Sequence, residues 1–536
     1  MTPSALEDSF VRDHLPPADQ WPEFIFERPE LQFPERMNAT VELLDKAIAE
    51  GHGERPAIVG EHGTWTYREL QQQVDRIAHV LVEDMGLISG NRVLLRSANN
   101  PMVAACWLAV LKAGGVAVAT MPLLRAKELK DVIRIANISH ALCDNGLRDE
   151  MEIARSDSLS LERVAYFGGD GTGLEALMAQ KAADFDAIDT AADDAALIAF
   201  TSGTTGVPKG TVHFHRDVMA MCEVFPRHCL EPDQDDVFIG TPPLAFTFGL
   251  GGLLCFPLWA RASTVLLEKL NPERLLDAIE RHRATICFTS PTAYRQMSAL
   301  VAGRDLACLK KCVSAGEALP TDTRDKWREA TGIQIHDGIG GTEMIHIYLA
   351  SGPDDYREGS LGKLMPGYRG MIVDDEMNPL PPGEVGRLAI KGPTGCRYLN
   401  DPRQQDYVKN GWNLPGDAFH MDEDGYFYYH ARVDDMIVSS GYNIGAPEVE
   451  WALLAHPAVA ECGVAGVPDA ERGQLVKAFI VLKPGFEGGE RMTLELQDFV
   501  KRTVAPYKYP RLIRYVDTLP RTETGKLQRF KLKSLE

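Results

Sequence analysis

Short apolar segments alternate with longer amphipathic segments along roughly the first 320 residues of the chain. The apolar segments of strand length are 55–60, 91–97, 116–121, 196–200, 263–268, 284–289 and 310–316. Segments with helical spacing follow the first three of them, at 68–82, 102–114 and 129–136. This alternation is typical of βαβ units arranged around a parallel sheet. We therefore predict an α/β protein with a large N-terminal domain of βαβ-type sheets.

The pattern changes after about residue 360, where short apolar segments are separated by turn residues. Such spacing predicts a small β-rich subdomain. In the last hundred residues, Pro447 is placed to begin a helix, and 465–468 resembles the end of a strand. We expect these residues to form a small α+β C-terminal domain.

One long segment, 240–260, contains no charged residue, but four glycines and three prolines interrupt it. A membrane-spanning helix needs about 20 predominantly apolar residues in regular helix. We therefore predict a buried loop and helix beside a pocket here, and no association with a membrane.

Charge and cysteine content narrow the class of protein. Lys and Arg total 56 against 76 Asp and Glu, a formal net charge of -20, which would repel a nucleic-acid backbone. The ten cysteines include no CxxC pair, which argues against a zinc site and fits the reduced thiols of a cytoplasmic protein. The N-terminus shows no secretory signal. Within 501–536, ten basic residues face three acidic ones, either as a solvated face or as a surface that receives a polyphosphate.

The segment with the clearest chemistry is 201–210, Thr-Ser-Gly-Thr-Thr-Gly-Val-Pro-Lys-Gly, directly after an apolar strand. Its glycines permit positive φ angles and a close approach of backbone to a ligand. Exposed backbone N–H groups can surround an anion, and Lys209 supplies a positive charge. The spacing differs from the P-loop G-x-x-x-x-G-K-[ST] because Pro208 precedes the lysine. The segment therefore predicts a different loop that holds a triphosphate.

This loop and four further motifs, in the same order, resemble the adenylate-forming superfamily, which includes acyl-CoA synthetases, peptide-synthetase adenylation domains and luciferases. In 337–343 (DGIGGTE), Ile339 stands where the superfamily usually has an aromatic residue. The remaining motifs are WNLPGD at 412–417, RVDDMI at 432–437 with SGYN at 440–443, and PRTETGK at 520–526. The resemblance covers nearly the whole chain.

The resemblance implies a reaction in which a carboxylate attacks the α-phosphate of ATP and the acyl group then passes to coenzyme A. It implies an adenylating domain over residues 1–433 and a mobile domain over 434–536, with a hinge at Asp434. Lys526 would bridge the attacking carboxylate and the α-phosphate, Thr342 would contact the α-phosphate, and Glu343 would help to hold Mg²⁺, a metal that binds few carboxylates and several phosphate oxygens.

The resemblance also assigns residues to the nucleotide and to coenzyme A. The β- and γ-phosphates are expected at Thr201, Ser202, Gly203, Thr204, Thr205 and Lys209. The adenine is expected at Gly316, Glu317, Ala318, Asp337, Gly338 and Ile339, with Asp337 accepting a hydrogen bond from the exocyclic amine. The ribose is expected at Asp417 and Arg432, which could also form only a salt bridge, and the pantetheine path at Gly441 and Tyr442.

Within the superfamily, the segments at 242–252 and 337–348 resemble those of benzoate-CoA and 2-aminobenzoate-CoA ligases. Flat aromatic walls suit an acid with a single ring. The expected pocket residues are Phe246, Thr247, Phe248, Ala315, Ile339, Gly340 and His346. His346 would hydrogen-bond a ring substituent or only fill space.

We therefore predict an ATP-dependent aryl-CoA ligase that acts as a monomer or homodimer. Ligases for another small aliphatic or hydroxy acid, adenylating enzymes that load a carrier protein, and luciferase-like oxygenases share these motifs. A non-catalytic protein on the same fold is disfavoured because Lys209, Glu343, Asp417, Arg432 and Lys526 are all present.

Overall fold

A computed structural model describes residues 3–201, 207–352, 355–439, 442–469, 472–521 and 527–532, with only the backbone at residues 434 and 443. Four β-sheets are present in these ranges. The first has the spatial order Arg163–Phe167, His140–Asp144, Arg92–Arg96, Val116–Thr120, Ala195–Thr201 and Lys209–Phe214. Its strands are parallel except for the last pair. Every residue of Arg92–Arg96 is buried, as expected for a parallel strand covered on both faces.

The second sheet supplies the strand ends around which the candidate site is built. Its spatial order is Lys363–Leu364, Ile347–Ala350, Ile335–Gly340, Lys311–Ser314, Ile286–Thr289, Val237–Gly240, Ser263–Val265, Pro56–Gly60 and Gly63–Thr66. The six strands in the middle are parallel, and the sheet becomes antiparallel at both edges.

The third and fourth sheets follow in the C-terminal part of the chain. The antiparallel third sheet contains Arg369–Val373, Gly386–Lys391, Val408–Lys409, Trp412–Asn413, Asp417–Met421 and Phe427–Arg432. The fourth contains Met436–Ser439, Tyr442–Gly445, Val459–Asp469, Gly473–Leu482 and Leu512–Tyr515. Two helices, Ala446–Leu454 and Glu490–Thr503, share an apolar core with this last sheet.

Several helices begin where the sequence places a capping residue before proline. The side-chain oxygens of Asn100, Asn271 and Ser290 each accept a backbone N–H three residues later, and the proline that follows needs no N–H partner in the first turn. The other α-helices of eight or more residues between the N-terminus and residue 331 are Tyr67–His79, Ala126–Ile135, Arg148–Ser156, His215–Phe225 and Thr321–Thr331. The capped ones are Pro101–Lys112, Pro272–His282 and Pro291–Ser298.

The short helices are Phe10–Asp13, Lys46–Ala49, Leu174–Met178, Thr247–Leu250, Phe256–Trp259, Gln404–Tyr407 and Arg529–Leu532. Between two of them, Gly251–Cys255 forms a π-helical segment, so 247–259 is one continuous helix whose middle is widened. π-Helical turns of this kind often occur at functional sites.

The α/β class and most of the predicted elements are confirmed. The strand predicted at 263–268 ends at Val265, and those at 284–289 and 310–316 are also shorter than expected. The uncharged segment 240–260 forms a loop and a buried helix, as predicted. No helix among the described residues is both long and apolar enough to cross a bilayer.

A fully buried ion pair joins the helix that follows the first sheet to a segment between two strands of the third sheet. Arg397 donates a hydrogen bond to Asp217, and neither side chain is exposed to solvent. The same Asp217 carboxylate accepts the backbone N–H of Phe214 at 2.9 Å, at the start of helix His215–Phe225. Although burial alone would raise the pKa of Asp217, Arg397 and His213 lower it overall. Both groups are therefore charged, and their charges are shielded from solvent.

We predict that Asp217→Asn destabilises the protein by about 3–5 kcal/mol, since it leaves the guanidinium of Arg397 buried without a counter-charge. The urea-unfolding midpoint, followed by far-UV circular dichroism, checks this. Lys326→Gln is the matched control because its partner Asp322, at 2.7 Å, is on the surface; we expect a change within about 0.5 kcal/mol. Equal, small changes in both variants would contradict the importance of the buried pair.

Candidate active site

The candidate site lies at the carboxyl ends of four neighbouring parallel strands of the second sheet. The strands are Val237–Gly240, Ile286–Thr289, Lys311–Ser314 and Ile335–Gly340. The first and third run into segments predicted to contact substrate, and the fourth contains predicted residues and leads to Thr342 and Glu343. Open parallel sheets bind ligands in the crevice outside these ends. The adjacent strand ends of the first sheet supply Thr201 and Lys209, which are paired across the hairpin.

A chain of hydrogen bonds connects Lys209 to Glu343 through a tyrosine. Lys209 Nζ donates to the hydroxyl oxygen of Tyr398 at 2.6 Å, and that hydroxyl donates to Glu343 Oε1 at 2.6 Å. Lys209 Nζ and Glu343 Oε1 are 3.7 Å apart. The structure thus brings together the predicted phosphate cation and the predicted metal carboxylate, although they come from different sheets and are far apart in sequence.

A second connection fixes the turn that carries Thr342 and Glu343. His213 is buried, and its Nε2 lies 2.7 Å from the backbone oxygen of Thr342. Ile345, three residues further on, has a φ of 63°, a backbone conformation that is costly for a β-branched residue. Such strain persists only when the surrounding structure imposes it, and it directs the chain from Glu343 to His346.

The predicted adenine residues lie on the loop after the strand Lys311–Ser314 and on the neighbouring strand Ile335–Gly340. Gly316 has a φ of 89°, which glycine adopts without strain. The Glu317 carboxylate accepts a hydrogen bond from the hydroxyl of Thr292 at 2.8 Å. Ala315 and Ala318 follow the strand Lys311–Ser314, and Gly338 lies within the strand Ile335–Gly340. Ile339 packs against an apolar cluster that includes Met344 and Tyr348.

Asp337, predicted to contact the adenine amine, is buried and lies 3.3 Å from a guanidinium nitrogen of Arg324. Arg324 also donates to the Tyr356 hydroxyl at 3.1 Å. Burial raises the pKa of Asp337 to about 7, and the positive charge of Arg324 opposes that shift. The carboxylate that the sequence assigns to adenine is therefore engaged with Arg324 in this structure.

The predicted ribose residues face each other across two antiparallel strands. Asp417 and Arg432 are Cα partners, and Arg432 Nη1 lies 3.1 Å from Asp417 Oδ1. The Asp417 side chain is almost buried, whereas about half of the Arg432 side chain is exposed. The salt bridge is therefore compatible with a contact to the ribose, because it leaves about half of the Arg432 side chain accessible.

Aromatic side chains enclose His346, the innermost of the predicted pocket residues. Its ring centroid lies 4.6 Å from that of Phe256, 5.6 Å from Phe225 and 5.8 Å from Phe248. Phe248 in turn lies 5.5 Å from Phe288. Phe246 directly precedes the helix Thr247–Leu250, which carries Phe248, and Thr247 and Gly340 complete this region.

The imidazole of His346 is buried and neutral. Burial lowers its pKa to about 3, with a small opposing effect from the Phe248 backbone. Neither ring nitrogen makes a hydrogen bond of normal geometry with the described residues. A buried polar group without a partner costs free energy. Within the cage formed by Phe225, Phe248 and Phe256, His346 therefore presents one unsatisfied donor and one unsatisfied acceptor.

Close packing on the π-helical segment holds this ring in place. A Cβ on Gly251 would lie 2.5 Å from Cδ2 of His346, and one on Gly252 would lie 2.4 Å from Cδ1 of Phe288. Glycine is therefore required at both positions for the helix to approach the two rings.

Part of the predicted site lies outside the described residues: Ser202, Gly203, Thr204, Thr205, Gly441 and Lys526. The predicted hinge residue Asp434 lies in the 3₁₀ turn Val433–Asp435, and its side chain is not described. Tyr442 is on the fourth sheet, about half exposed, and stacks on Tyr507 with ring centroids 4.4 Å apart.

Several residues that shape the site were not predicted from the sequence: Tyr398, His213, Phe225, Phe256 and Phe288. None belongs to a motif with a recognisable spacing. Tyr398 is 189 residues from Lys209, so only the pairing of Thr211 with Tyr398 between chain segments reveals it. The three phenylalanines come from a helix, a second helix and a strand, and each reads as ordinary core in the sequence.

The protein groups at this site suit a metal ion that takes most of its ligands from the phosphate oxygens of a bound nucleotide. Among the described residues there is no group of three or more His, Cys, Asp or Glu that could hold a metal alone. Glu343 is a single, mostly buried carboxylate beside a lysine, which fits magnesium bound by one carboxylate and several phosphate oxygens.

Comparison with known proteins agrees with this geometry. Residues 45–397 match the AMP-binding enzyme family, and 448–526 match the AMP-binding enzyme C-terminal domain. The benzoate-CoA ligase of Thauera aromatica is 36% identical over 94% of this chain and 97% of its own. The mitochondrial acyl-coenzyme A synthetase ACSM5 of Mus musculus is 34% identical over 94% of this chain and 91% of its own.

A crystal structure of the anthranilate CoA ligase AuaEII in complex with anthranoyl-AMP superimposes with a TM-score of 0.89. It is 31% identical and covers 95% of this chain and 98% of its own. The family matches, the extent of the identity and the shared fold lead to one conclusion. The chain belongs to the AMP-binding enzyme family and is an AMP-forming acyl-CoA synthetase of the branch that contains benzoate-CoA and 2-aminobenzoate-CoA ligases.

Proposed function

We propose that the protein is an ATP-dependent aryl-CoA ligase that adenylates benzoate or 2-aminobenzoate and transfers the acyl group to coenzyme A. One observation carries this proposal. The five residues Thr342–His346 connect the Glu343 carboxylate to the imidazole enclosed by phenylalanines. An aromatic acid whose ring lies in the cage would therefore have its carboxylate close to the nucleotide phosphates.

The reaction requires two anions, a carboxylate and a triphosphate, to approach each other. Lys209 would place its positive charge at the β- and γ-phosphates together with the loop Thr201–Thr205, and Thr342 would contact the α-phosphate. Glu343 would help to hold Mg²⁺, which neutralises phosphate charge when bound. Preorganised charge of this kind lowers the barrier because it does not have to reorganise during the reaction.

The acid pocket supports an aromatic substrate with a polar substituent near the carboxylate. The walls are flat aromatic rings, and such rings favour edge or face packing with another ring. The unsatisfied nitrogens of His346 can accept a hydrogen bond from a 2-amino group or donate one to a ring substituent. This supports the first of the two roles considered for His346.

We further propose that the two half-reactions use the two domains 1–433 and 434–536, with the hinge at Asp434. Lys526 would bridge the carboxylate and the α-phosphate during adenylation. The segment with Gly441 and Tyr442 would border the path of the coenzyme A thiol during transfer. A conformational step of this kind lets one pocket serve both reactions.

A second acid class is a specific alternative. The chain is similar to an acyl-coenzyme A synthetase whose name does not restrict the acid to an aromatic one. The same nucleotide site would serve an aliphatic acid, and only the cage around His346 favours a ring.

We predict that pyrophosphate exchange will be fastest with benzoate or 2-aminobenzoate in a panel that also contains hexanoate, octanoate and lactate. Burial of a planar ring in the cage is the physical reason. The measurement is the rate of labelled pyrophosphate incorporation into ATP, followed by thioester formation with free coenzyme A. Faster exchange with an aliphatic or hydroxy acid would exclude the aromatic assignment, and transfer only to a carrier protein would exclude the proposed acceptor.

We predict that Gly251→Ala raises the KM for the aromatic acid by about tenfold or more. The added methyl group would overlap His346 and displace its ring into the space of the acid, and a loss of about 1.4 kcal/mol of binding free energy corresponds to a factor of ten. Steady-state kinetics with saturating ATP test this. Gly489→Ala is the control, because its Cβ would meet no atom within 4 Å. An unchanged KM in Gly251→Ala would mean that the ring of His346 does not line the acid site.

We predict that Lys526→Ala lowers the adenylation rate by about 10²–10³-fold, as expected for the loss of a group that stabilises charge in the transition state. ATP binding, measured by isothermal titration calorimetry, should change little because other residues hold the nucleotide. An adenylation rate within threefold of the wild type would remove the role proposed for Lys526.

A further inference from the structure

Tyr398 is fixed rigidly between the two charged groups of the phosphate site. Its side chain is 1% exposed, and its backbone N–H donates to Gln404 Oε1 at 2.9 Å. On another side, the ring of Tyr407 packs edge-on at 5.8 Å. A buried phenol held in this way has one position available to its hydroxyl group.

The direction of each hydrogen bond at this hydroxyl is determined by chemistry. An ammonium group only donates and a carboxylate only accepts, so Lys209 donates to the phenol oxygen and the phenol donates to Glu343. In this geometry the phenol therefore offers its proton to Glu343 and its oxygen lone pair to Lys209.

The hydroxyl also determines which oxygen of Glu343 is available. Oε1 accepts the phenol proton at 2.6 Å, whereas Oε2 lies over Gly341, 3.5 Å from the point that a Cβ there would occupy. Lys209 Nζ and Glu343 Oε1 already form an ion pair at 3.7 Å, and without the hydroxyl between them the two groups could close to a direct hydrogen bond. Such a contact would more fully neutralise both the cation meant for phosphate and the carboxylate meant for metal.

We propose that Tyr398 is a positioning residue for adenylation, and this rests on the proposed function. Its hydroxyl keeps Lys209 and Glu343 from closing to a direct hydrogen bond, holds Oε1 of Glu343 so that Oε2 would be left for a metal ion, and leaves Lys209 to turn to the triphosphate. Tyr398 acts through these two residues and has no contact with the reacting atoms in this account.

The test is Tyr398→Phe, which removes one oxygen atom and keeps the ring. Loss of a hydrogen bond to a charged group corresponds to about a 10- to 100-fold effect. We expect the Mg²⁺ concentration for half-maximal pyrophosphate exchange to rise about tenfold or more. We also expect ATP binding in EDTA, measured by calorimetry, to weaken about tenfold, because Glu343 then neutralises Lys209.

Two further variants separate this role from a merely structural one. In Tyr398→Phe combined with Glu343→Gln, ATP binding in EDTA should recover to within about threefold of the wild type, since Lys209 no longer has a negative neighbour. Tyr166→Phe is the matched control. Tyr166 lies on the strand at the opposite edge of the first sheet, and its hydroxyl also donates to a carboxylate, that of Glu152, at 2.5 Å. It should change neither measurement.

The outcomes distinguish this inference from the proposed function. A Mg²⁺ requirement and an EDTA affinity within twofold of the wild type in folded Tyr398→Phe would overturn the role of Tyr398, whatever the acid is. If that variant does not fold, Glu343→Gln alone must tighten ATP binding in EDTA severalfold, and unchanged affinity would overturn the proposal. Absence of exchange with every acid in the wild type would instead refute the proposed function, while the binding experiments would still test Tyr398.

Discussion

The contact between the strand Lys209–Phe214 and the turn Thr342–Met344 is the constraint on which the site depends. These segments belong to different sheets, and each carries one of the two charged groups of the phosphate site. The imidazole of His213 reaches the Thr342 backbone oxygen at 2.7 Å, and the buried pair of Asp217 and Arg397 lies next to His213. Because these polar groups are shielded from water, separation of the strand from the turn would leave the His213 imidazole and the Thr342 backbone oxygen without each other as hydrogen-bond partners.

The acid pocket follows from the same turn. The strained Ile345 redirects the chain from Glu343 to His346, and the widened helix with Gly251 and Gly252 packs directly against the rings. Backbone strain at this position is stabilised by the cage and by the His213 contact. The result is an apolar enclosure with one neutral imidazole, separated from the phosphate site by only a few residues of chain.

Local patterns predicted the fold and the loops well, because strand ends and capping residues such as Asn100 and Ser290 depend on near neighbours in sequence. Thr342, Glu343 and His346 were predicted from one short motif for the same reason. Tyr398 was not, since its partners are distant in the chain and buried tyrosines are common in cores. The engagement of Asp337 by Arg324 was also unpredictable, because Arg324 has the periodic position of an ordinary helix residue. Tertiary packing alone determines such pairs.

The account rests on an acyl-adenylate in which a carboxylate oxygen becomes bonded to the α-phosphorus and leaves with AMP. The most direct measurement uses the preferred acid labelled with oxygen-18 in its carboxylate, together with ATP, Mg²⁺ and coenzyme A, and mass spectrometry of the nucleotide product. The account predicts AMP that carries one labelled oxygen and no labelled inorganic phosphate. Formation of ADP with label in inorganic phosphate, or unlabelled AMP, would contradict it.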